Sequence, residues 1–345
     1  MSVIHLLPEG GDFYKANLHC HSTISDGRRT PQELKDAYKA HGYSVLCITD
    51  HELLIDHSDL NDEDFLTLTG YEISVDAPGN DWQHKKVCHI NLYSPRPDYT
   101  KYVCFPADPG AYYNAHMKES LREEDIPEER FEREYTPECI SEIARIAHET
   151  GFLCSYNHPS WSLETAKEYC GYKGYDMMEI VNFGCTIDGF DEHNGHAYDE
   201  MLRAGRRLAC SATDDNHNVH PWDDPMCDSF GGWVWLKLPA LTYENVFEAL
   251  RYGDFYACAG GPTISELTLD TEKRQIRLVC SGAREIHLNN AGRATTCRRA
   301  CPGELLTEQV FDLNGTEGYV RFDLTGPDGL RTYTRAYFLD EYDCR

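Results

Sequence analysis

The sequence lacks a long apolar run, a surplus of basic residues and a glycine-rich phosphate-binding loop. No stretch approaches the ~18 consecutive apolar residues of a membrane-spanning helix, so we expect no membrane partner. Its 32 lysines and arginines stand against 58 acidic residues, which gives a net charge of −26. Because nucleic-acid backbones attract basic surfaces, this balance predicts that nucleic acid is not a partner.

Paired cysteines and a secretory signal are also missing. The 15 cysteines are scattered through apolar runs such as SVLCIT and GFLCSY, a pattern typical of reduced, buried thiols rather than of a disulfide framework. The first residues, MSVIHLLPEGGDFY, carry no basic stretch and reach Pro8 early, unlike a signal peptide. We therefore predict a cytoplasmic protein.

Strand-like runs alternate with helical patterns over the first two-thirds of the sequence. Seven strand candidates each precede a helix or a long connection: KANLHCH, SVLCITDH, FLTLTGYEIS, KVCHINLY, FLCSYNH, YDMMEIVN and RLACSATDD. Such alternation implies parallel pairing, and seven units close most naturally into a barrel. An open doubly wound sheet is the alternative, although no glycine-rich loop follows the first strand.

The pattern changes near residue 264 to short strands separated by SG, NG and PDG turns. This change predicts a small antiparallel β-sandwich. We expect a catalytic barrel over residues 1–262, with an insertion at about 98–136, and the sandwich over residues 263–345. The insertion and the aromatic loops around Trp161 and Trp222 are candidate walls of a substrate pocket.

Histidines and carboxylates recur where the predicted strands end. His19 and His21 are two residues apart, so they share a strand face from which Cys20 points away. The other members of this set are Asp26, His51, Glu72, His89, His158, Asp215 and His217. Because the active sites of parallel barrels lie at the carboxyl ends of the strands, we expect these nine side chains to converge.

Each of these residues, taken alone, is an ordinary polar residue at a strand end. Asp26 before Gly27, for example, suits a turn. Nine such groups together would form a desolvated and mutually repulsive cluster unless cations paired them. Two or three divalent metal ions would give every group a partner, and mixed imidazole and carboxylate ligands suit zinc, manganese or iron.

The order of these motifs resembles that of the PHP (polymerase and histidinol phosphatase) metallohydrolases. The matching motifs are HxHxxxSDG from His19 to Gly27, TDH from Thr49 to His51, GYEI, NHP and a late DxH, within residues 13–262. The resemblance implies a distorted (β/α)7 barrel and a site of two or three metals. Many family members carry a histidine where this chain has Asp26. The aspartate form is similar to small-molecule phosphoesterases and to proteins described as carboxylic or carbamic ester hydrolases.

The resemblance also implies three ligand sets. The first ion would take His19, His21, Glu72 and Asp215. The second would share Glu72 and add His89 and His158, and the third would take Asp26, His51 and His217. In this scheme Glu72 holds a metal-bound hydroxide, the nucleophile, whose pKa falls from ~15.7 towards ~7. His51 and His217 are the candidate proton donors.

These expectations predict a metal-dependent phosphoesterase that cleaves a small phosphorylated metabolite or nucleotide. Two alternatives stay open: hydrolysis of a carboxylic or carbamic ester or amide, and a non-catalytic metal-binding regulatory module. Arg28 and Asn157 are candidate substrate contacts. The residues expected to support the ligands are Asp50, Glu179 and Asn182.

Overall fold

The computed structural model describes residues 3–79 and 81–342. The helices in this part are α1 (Pro31–Ala40), α2 (Ala115–Glu119), α3 (Pro137–Glu149), α4 (Ala166–Tyr169), α5 (Phe183–Ile187), α6 (Gly195–Arg203) and α7 (Tyr243–Tyr252). Short 3₁₀ helices occupy Ser58–Leu60, Pro109–Ala111, Glu123–Asp125 and Leu339–Tyr342. None of the helices in these ranges is long and apolar enough to cross a membrane.

The strands are numbered in chain order. The first ten are β1 (Val3–His5), β2 (Asp12–Asn17), β3 (Val45–Ile48), β4 (Leu66–Asp76), β5 (Val87–Tyr93), β6 (Leu153–Tyr156), β7 (Met177–Asn182), β8 (Ala209–Thr213), β9 (Trp233–Leu238) and β10 (Phe255–Ala259). The remainder are β11 (Ile264–Asp270), β12 (Gln275–Ala283), β13 (Glu285–Asn290), β14 (Thr296–Arg299), β15 (Leu306–Asp312), β16 (Tyr319–Thr325), β17 (Arg331–Thr334) and β18 (Tyr337–Phe338).

The seven predicted barrel strands all form, as β2 to β8, and pair in chain order. Their interior and outer faces bury apolar side chains, which explains why the runs are rich in valine, isoleucine, leucine and cysteine. Beyond the ends of β2 and β8, Cys20 and Asn216 form a parallel bridge that brings the first and last strands together. The predicted barrel fold is therefore confirmed.

The expectation that all seven strands run parallel is wrong at β5. This strand is antiparallel to both β4 and β6, whereas β2–β3–β4 and β6–β7–β8 pair in parallel. The connection from β4 to β5 spans residues 77–86, and its described residues, 77–79 and 81–86, form no helix. Parallel pairing needs a crossover of a dozen or more residues, so this connection favours antiparallel pairing. Consequently His89 lies near the start of its strand, not at its carboxyl end.

The C-terminal part is the predicted small antiparallel sandwich. One sheet has the order β1-β11-β12-β15, so the N-terminal strand joins it, and the other contains β14, β13, β16 and β17. The buried core between them includes Leu267, Leu278, Phe311 and Phe322. The sequence patterns miss β14 and β15, whose side chains are mostly exposed. Antiparallel pairing of β10 with β17 joins the sandwich to the barrel sheet.

Helix α1 shows how local sequence supports the rim of the barrel. Thr30 and Glu33 form a capping box, and Pro31 occupies the first turn, an arrangement that favours the start of a helix. The helix buries Leu34, Ala37 and Tyr38. The Tyr38 hydroxyl donates a hydrogen bond to Asp214 Oδ2 at 2.6 Å, so the first helix braces the segment that follows β8.

The insertion at residues 98–136 folds back towards the rim of the barrel. Its Arg133 forms a buried two-pronged ion pair with Glu52, at 2.6 and 2.9 Å. The Tyr113 hydroxyl donates to the carbonyl of Glu52, and His116 Nε2 contacts the carbonyl oxygen of Thr23 at 2.9 Å. These contacts attach the insertion to the loops that follow β2 and β3.

Candidate metal centre

The nine predicted ligands lie together at one end of the barrel, with Glu72 at the centre of the histidines. The Glu72 carboxylate lies 3.0–3.4 Å from an imidazole nitrogen of each of five histidines: His19, His21, His51, His89 and His158. Its side chain is only 1% exposed. A single buried carboxylate therefore connects five of the six predicted histidine ligands.

Three overlapping sets of side chains could each hold an ion, because their ligand atoms lie within 4.8 Å of one another. The sets are His19, His21, Glu72 and Asp215; His51, Glu72 and His89; and His21, Asp26, His51 and His217. The first has the membership expected from the sequence. In the second His51 replaces His158, although His158 Nε2 is 3.3 Å from Glu72 Oε1, and in the third His21 is added.

Within each set, the ligand atoms lie close enough to one another to bind the same ion. Asp215 Oδ1 lies 3.0 Å from the Nε2 atoms of both His19 and His21. Asp26, on the more exposed side, lies 3.6 Å from His51 Nε2 and 3.5 Å from His217 Nε2. The geometry brings together all nine residues that the sequence singled out.

The protein groups alone leave polar atoms of this cluster without partners. Within the described residues, His21 Nδ1 is buried without a hydrogen-bond partner, and Glu72 Oε2 has no well-directed hydrogen bond although His51 Nδ1 lies 3.0 Å away. A divalent cation is the partner that a bare carboxylate oxygen and an imidazole nitrogen share. The residues therefore fit a multinuclear divalent metal site.

The pKa values of the clustered side chains are shifted in opposite directions. Burial, followed by the charges of His217 and His51, lowers the pKa of His21 to about 4. Burial also disfavours the charged form of His51, but Glu72 and Asp26 outweigh it and raise that pKa to about 10. For Glu72, burial opposes ionisation, yet the surrounding histidines hold its pKa well below the usual range. The central carboxylate is thus ionised.

Glu179 is not a member of the three ligand sets, but its carboxylate contacts two of the candidate ligands. Its Oε1 lies 2.7 Å from His19 Nδ1, and its Oε2 accepts a hydrogen bond from the backbone of His158 at 3.0 Å. Thr213 and Asn182 also donate to this carboxylate, and Asn182 donates to Asp215 as well. A carboxylate in this position fixes the orientation of the ring and its tautomer.

We predict that Glu179→Gln weakens the affinity for Zn²⁺ or Mn²⁺ by about 10- to 100-fold, because His19 loses its anionic partner. Chelator competition measures this change. Glu200→Gln is the matched control, since Glu200 accepts a tyrosine hydrogen bond outside the cavity and its replacement leaves affinity unchanged. Equal affinities for both variants would contradict the prediction.

Three other aspartates near the cluster accept hydrogen bonds from the loops that surround it. Asp50 accepts hydrogen bonds from the backbone and hydroxyl groups of Ser22 and Ser25, and so holds the loop that carries Asp26. Asp214 accepts backbone hydrogen bonds from residues 230–232. Asp228, which sequence patterns miss, accepts from the backbone of His217 at 2.7 Å. No motif marks Asp228, because it lies in an irregular loop.

The cluster opens into a cavity of about 610 Å³. Arg28 lines it, as expected of a substrate contact, whereas Asn157 is fully buried and donates to Glu72 Oε1 at 2.9 Å. Ala111 and Tyr112 of the insertion form part of the wall, together with Trp161. Trp222 is not among the lining residues; its ring packs against Arg29.

Another buried carboxylate, Glu164, lies outside the cavity. It accepts hydrogen bonds from the hydroxyls of Tyr135, Tyr156 and Tyr172. Burial raises the pKa of Glu164 to about 7, although these three hydrogen bonds act in the opposite direction. The folded chain therefore retains a proton on Glu164 over a pH range in which the unfolded chain has released it.

This difference predicts a pH-dependent stability. As the pH rises from about 4.5 to about 7, the unfolded chain loses the Glu164 proton first, so the free energy of unfolding falls, by about 3 kcal/mol in total. Glu164→Gln removes this contribution. Urea unfolding at pH 5 and pH 8 measures it, and the variant gains stability relative to the native protein at pH 8. If the stability of Glu164→Gln relative to the native protein were the same at pH 5 and pH 8, the raised pKa of Glu164 would be contradicted.

No family model matches the chain. A curated relative, a 5'-3' exoribonuclease of Haemophilus influenzae, is 39% identical over 69 residues, which are 19% of this chain and 25% of the relative. The chain thus spans about a quarter of the length of the curated relative that it matches.

Solved structures similar to the chain include the two that follow. One is a two-domain protein containing a predicted PHP-like metal-dependent phosphoesterase from Bacteroides vulgatus, at 14% identity and a TM-score of 0.41, over 96% of this chain and 98% of that one. The other is an amidohydrolase from Chromobacterium violaceum with bound sulfate, at 16% identity and a TM-score of 0.34, over 61% of this chain and 93% of that one.

Proposed function

We propose that this chain is a PHP-type metal-dependent phosphoesterase that cleaves a small phosphorylated metabolite or nucleotide. The observation that carries the proposal is the convergence of five histidines and three carboxylates in three overlapping sets, with His158 beside Glu72, at an open cavity. Bound divalent cations would supply Lewis-acid stabilisation of phosphoryl oxygens and make a water molecule acidic enough to lose a proton near neutral pH.

The charge of the ligand set favours a phosphoester over an ester or amide of a carboxylic acid. Asp26, Glu72 and Asp215 are the only carboxylates in the three sets at the cavity, so they cannot neutralise three divalent cations. The surplus positive charge suits a dianionic phosphoryl group better than a neutral acyl group. The matching relative is named as an exoribonuclease, an enzyme that cleaves phosphoesters, and this supports the same choice.

Residues of the chain itself would position the metal ligands, contact the phosphoryl group and donate a proton to the leaving oxygen. Glu72 is positioned by Asn157, and His19 by Glu179. Arg28 lies at the cavity wall, where its guanidinium could pair with a phosphoryl oxygen. His51 and His217 are about a quarter to a third exposed, at 26% and 30%, more than the other histidines of the cluster. They are therefore the proposed proton donors to the leaving oxygen. This role applies to a protein molecule in which the donating histidine is not bound to a metal ion.

The accessible cavity argues against a non-catalytic module. A purely structural metal site is closed by its ligands, whereas a catalytic one leaves positions open to a substrate. In this chain Asp26, His51, Glu72, His89 and Asp215 all face the cavity.

The test uses the purified chain, stripped with a chelator and reloaded with Mn²⁺, Zn²⁺ or Fe²⁺. We expect metal analysis to give two or three ions per chain, and p-nitrophenyl phosphate to be hydrolysed only by the reloaded protein. Turnover of p-nitrophenyl acetate alone would favour the carboxylic ester reaction. A metal-loaded protein that is inactive on a broad ester panel would favour the regulatory module.

A further inference from the structure

Exposed apolar side chains are concentrated at the mouth of the metal cavity. Three of the nine exposed large hydrophobic residues in the described part of the chain line it: Trp82 at 61%, Val219 at 64% and Met226 at 44% exposure. They come from two connections far apart in sequence, Trp82 from the one between β4 and β5 and the other two from the one between β8 and β9, so the fold brings them together. Exposed apolar groups gathered at a cavity mark a binding surface rather than ordinary surface composition.

Aromatic rings connect this mouth to the metal ligands. The Trp161 ring centroid lies 5.0 Å from that of His158 and 5.2 Å from that of His89, and 5.7 Å from that of Trp82. We call Trp161 and Trp82 the ring wall. Its inner member is held in place, because Glu192 accepts a hydrogen bond from the Trp161 backbone at 2.6 Å. The wall therefore runs from the cluster to the solvent along one side of the cavity.

The charges beside the ring wall are already paired. Lys85, whose amino group lies 5.7 Å from the Trp82 ring centroid, forms an ion pair with Asp76 at 2.5 Å. Lys86 pairs with Glu168 at 2.8 Å. These lysines are thus poor partners for a second phosphate, and the wall offers mainly aromatic surface.

We infer that the ring wall binds a planar aromatic ring on the leaving group of the substrate, while the phosphoryl group occupies the metal cluster. This inference rests on the proposed phosphoesterase function. An indole face gains more from a planar π-system than from a saturated ring of similar size, because stacking adds to the burial of apolar area. The substrate class is therefore aromatic-ring-bearing phosphate esters.

Benzyl phosphate and cyclohexylmethyl phosphate test this directly. Both have primary alcohols as leaving groups and six-membered rings, but only the first ring is planar and aromatic. With the Mn²⁺-loaded protein we expect kcat/KM to favour benzyl phosphate by about tenfold. In Trp82→Leu, which keeps an apolar side chain, the KM for benzyl phosphate rises until the preference falls to about twofold or less, with little change in kcat.

The matched control is Tyr252→Leu, which removes an aromatic side chain that is 63% exposed and lies outside the cavity. It keeps the native preference. A native protein that hydrolyses both esters equally, or a Trp82→Leu variant with the native preference, overturns the ring-wall inference while the phosphoesterase proposal stands.

Binding separates the two proposals if neither ester is hydrolysed. Calorimetric titration of the Mn²⁺-loaded protein with benzylphosphonate and cyclohexylmethylphosphonate needs no turnover. A tenfold preference for benzylphosphonate that Trp82→Leu abolishes supports the ring wall, even though the phosphoesterase proposal would then fail. Equal affinities for the two phosphonates overturn the ring wall.

Discussion

We expect Glu72→Gln to lower the kcat/KM of the reloaded protein in the proposed phosphoesterase reaction by on the order of 10³-fold, about 4 kcal/mol of transition-state stabilisation. The physical reason is the position of Glu72, whose carboxylate contacts five imidazoles and belongs to two of the three ligand sets. A neutral amide retains the shape of the side chain but loses the negative charge that the sets share. The same variant loses at least one ion per chain by metal analysis.

Glu164→Gln is the control for that experiment, because it also replaces a buried glutamate with glutamine. Glu164 has tyrosine partners and does not line the cavity, so its replacement leaves the metal content and kcat/KM at native levels at pH 7. If Glu72→Gln retained the native metal content and at least a tenth of the native activity, Glu72 would not be the shared ligand.

We expect Arg133→Met to lower the free energy of unfolding by about 3–5 kcal/mol, the cost of leaving one member of a buried ion pair without its partner. Glu52 and Arg133 have side chains that are 3% and 1% exposed. Arg133 also donates to the carbonyl oxygens of Ser74 and Cys104, which would lose a donor. Urea unfolding of the full chain measures the change.

Two further variants separate this ion pair from a general effect of removing arginine. Arg145→Met removes an exposed arginine that pairs with Glu142 and Glu149 on the surface of α3, and it leaves the urea midpoint nearly unchanged. Combining Glu52→Gln with Arg133→Met recovers a large part of the lost stability, since no unpaired charge then stays buried. A double variant less stable than Arg133→Met would refute this explanation.

Much of the fold and of the candidate site could be predicted from two sequence features. These are the pattern of apolar residues along each element and the positions of polar residues relative to the predicted strands. The seven barrel strands are nearly continuous apolar runs, and Thr30, Pro31 and Glu33 mark the start of α1. Most of the nine polar residues stand out because they follow the end of an apolar strand, whereas Glu72 lies within β4, His89 lies near the start of β5 and Asp26 lies in the loop after β2. Their convergence follows from the barrel topology, which was itself predicted.

The remainder depends on contacts that leave no local pattern. The reversal of β5 follows from the connection from β4 over residues 77–86, yet nothing in the run KVCHINLY distinguishes a parallel strand from an antiparallel one. The ion pair of Arg133 with Glu52 joins residues 81 positions apart. Strands β14 and β15 bury few side chains, so they lack the alternation by which strands are found. Asp228 acts through backbone groups of a loop, which sequence patterns do not encode.

The reversed strand β5 makes the site dependent on the register of one hairpin. Ser74 pairs with His89 and Glu72 pairs with Asn91, so Glu72 and His89 project from the same face of two antiparallel strands. A slip of one residue would turn His89 to the opposite face, although most backbone hydrogen bonds could re-form. An ion shared by Glu72 and His89 would therefore stabilise the correct register over the slipped one, and metal binding would select among alternative pairings of this hairpin during folding.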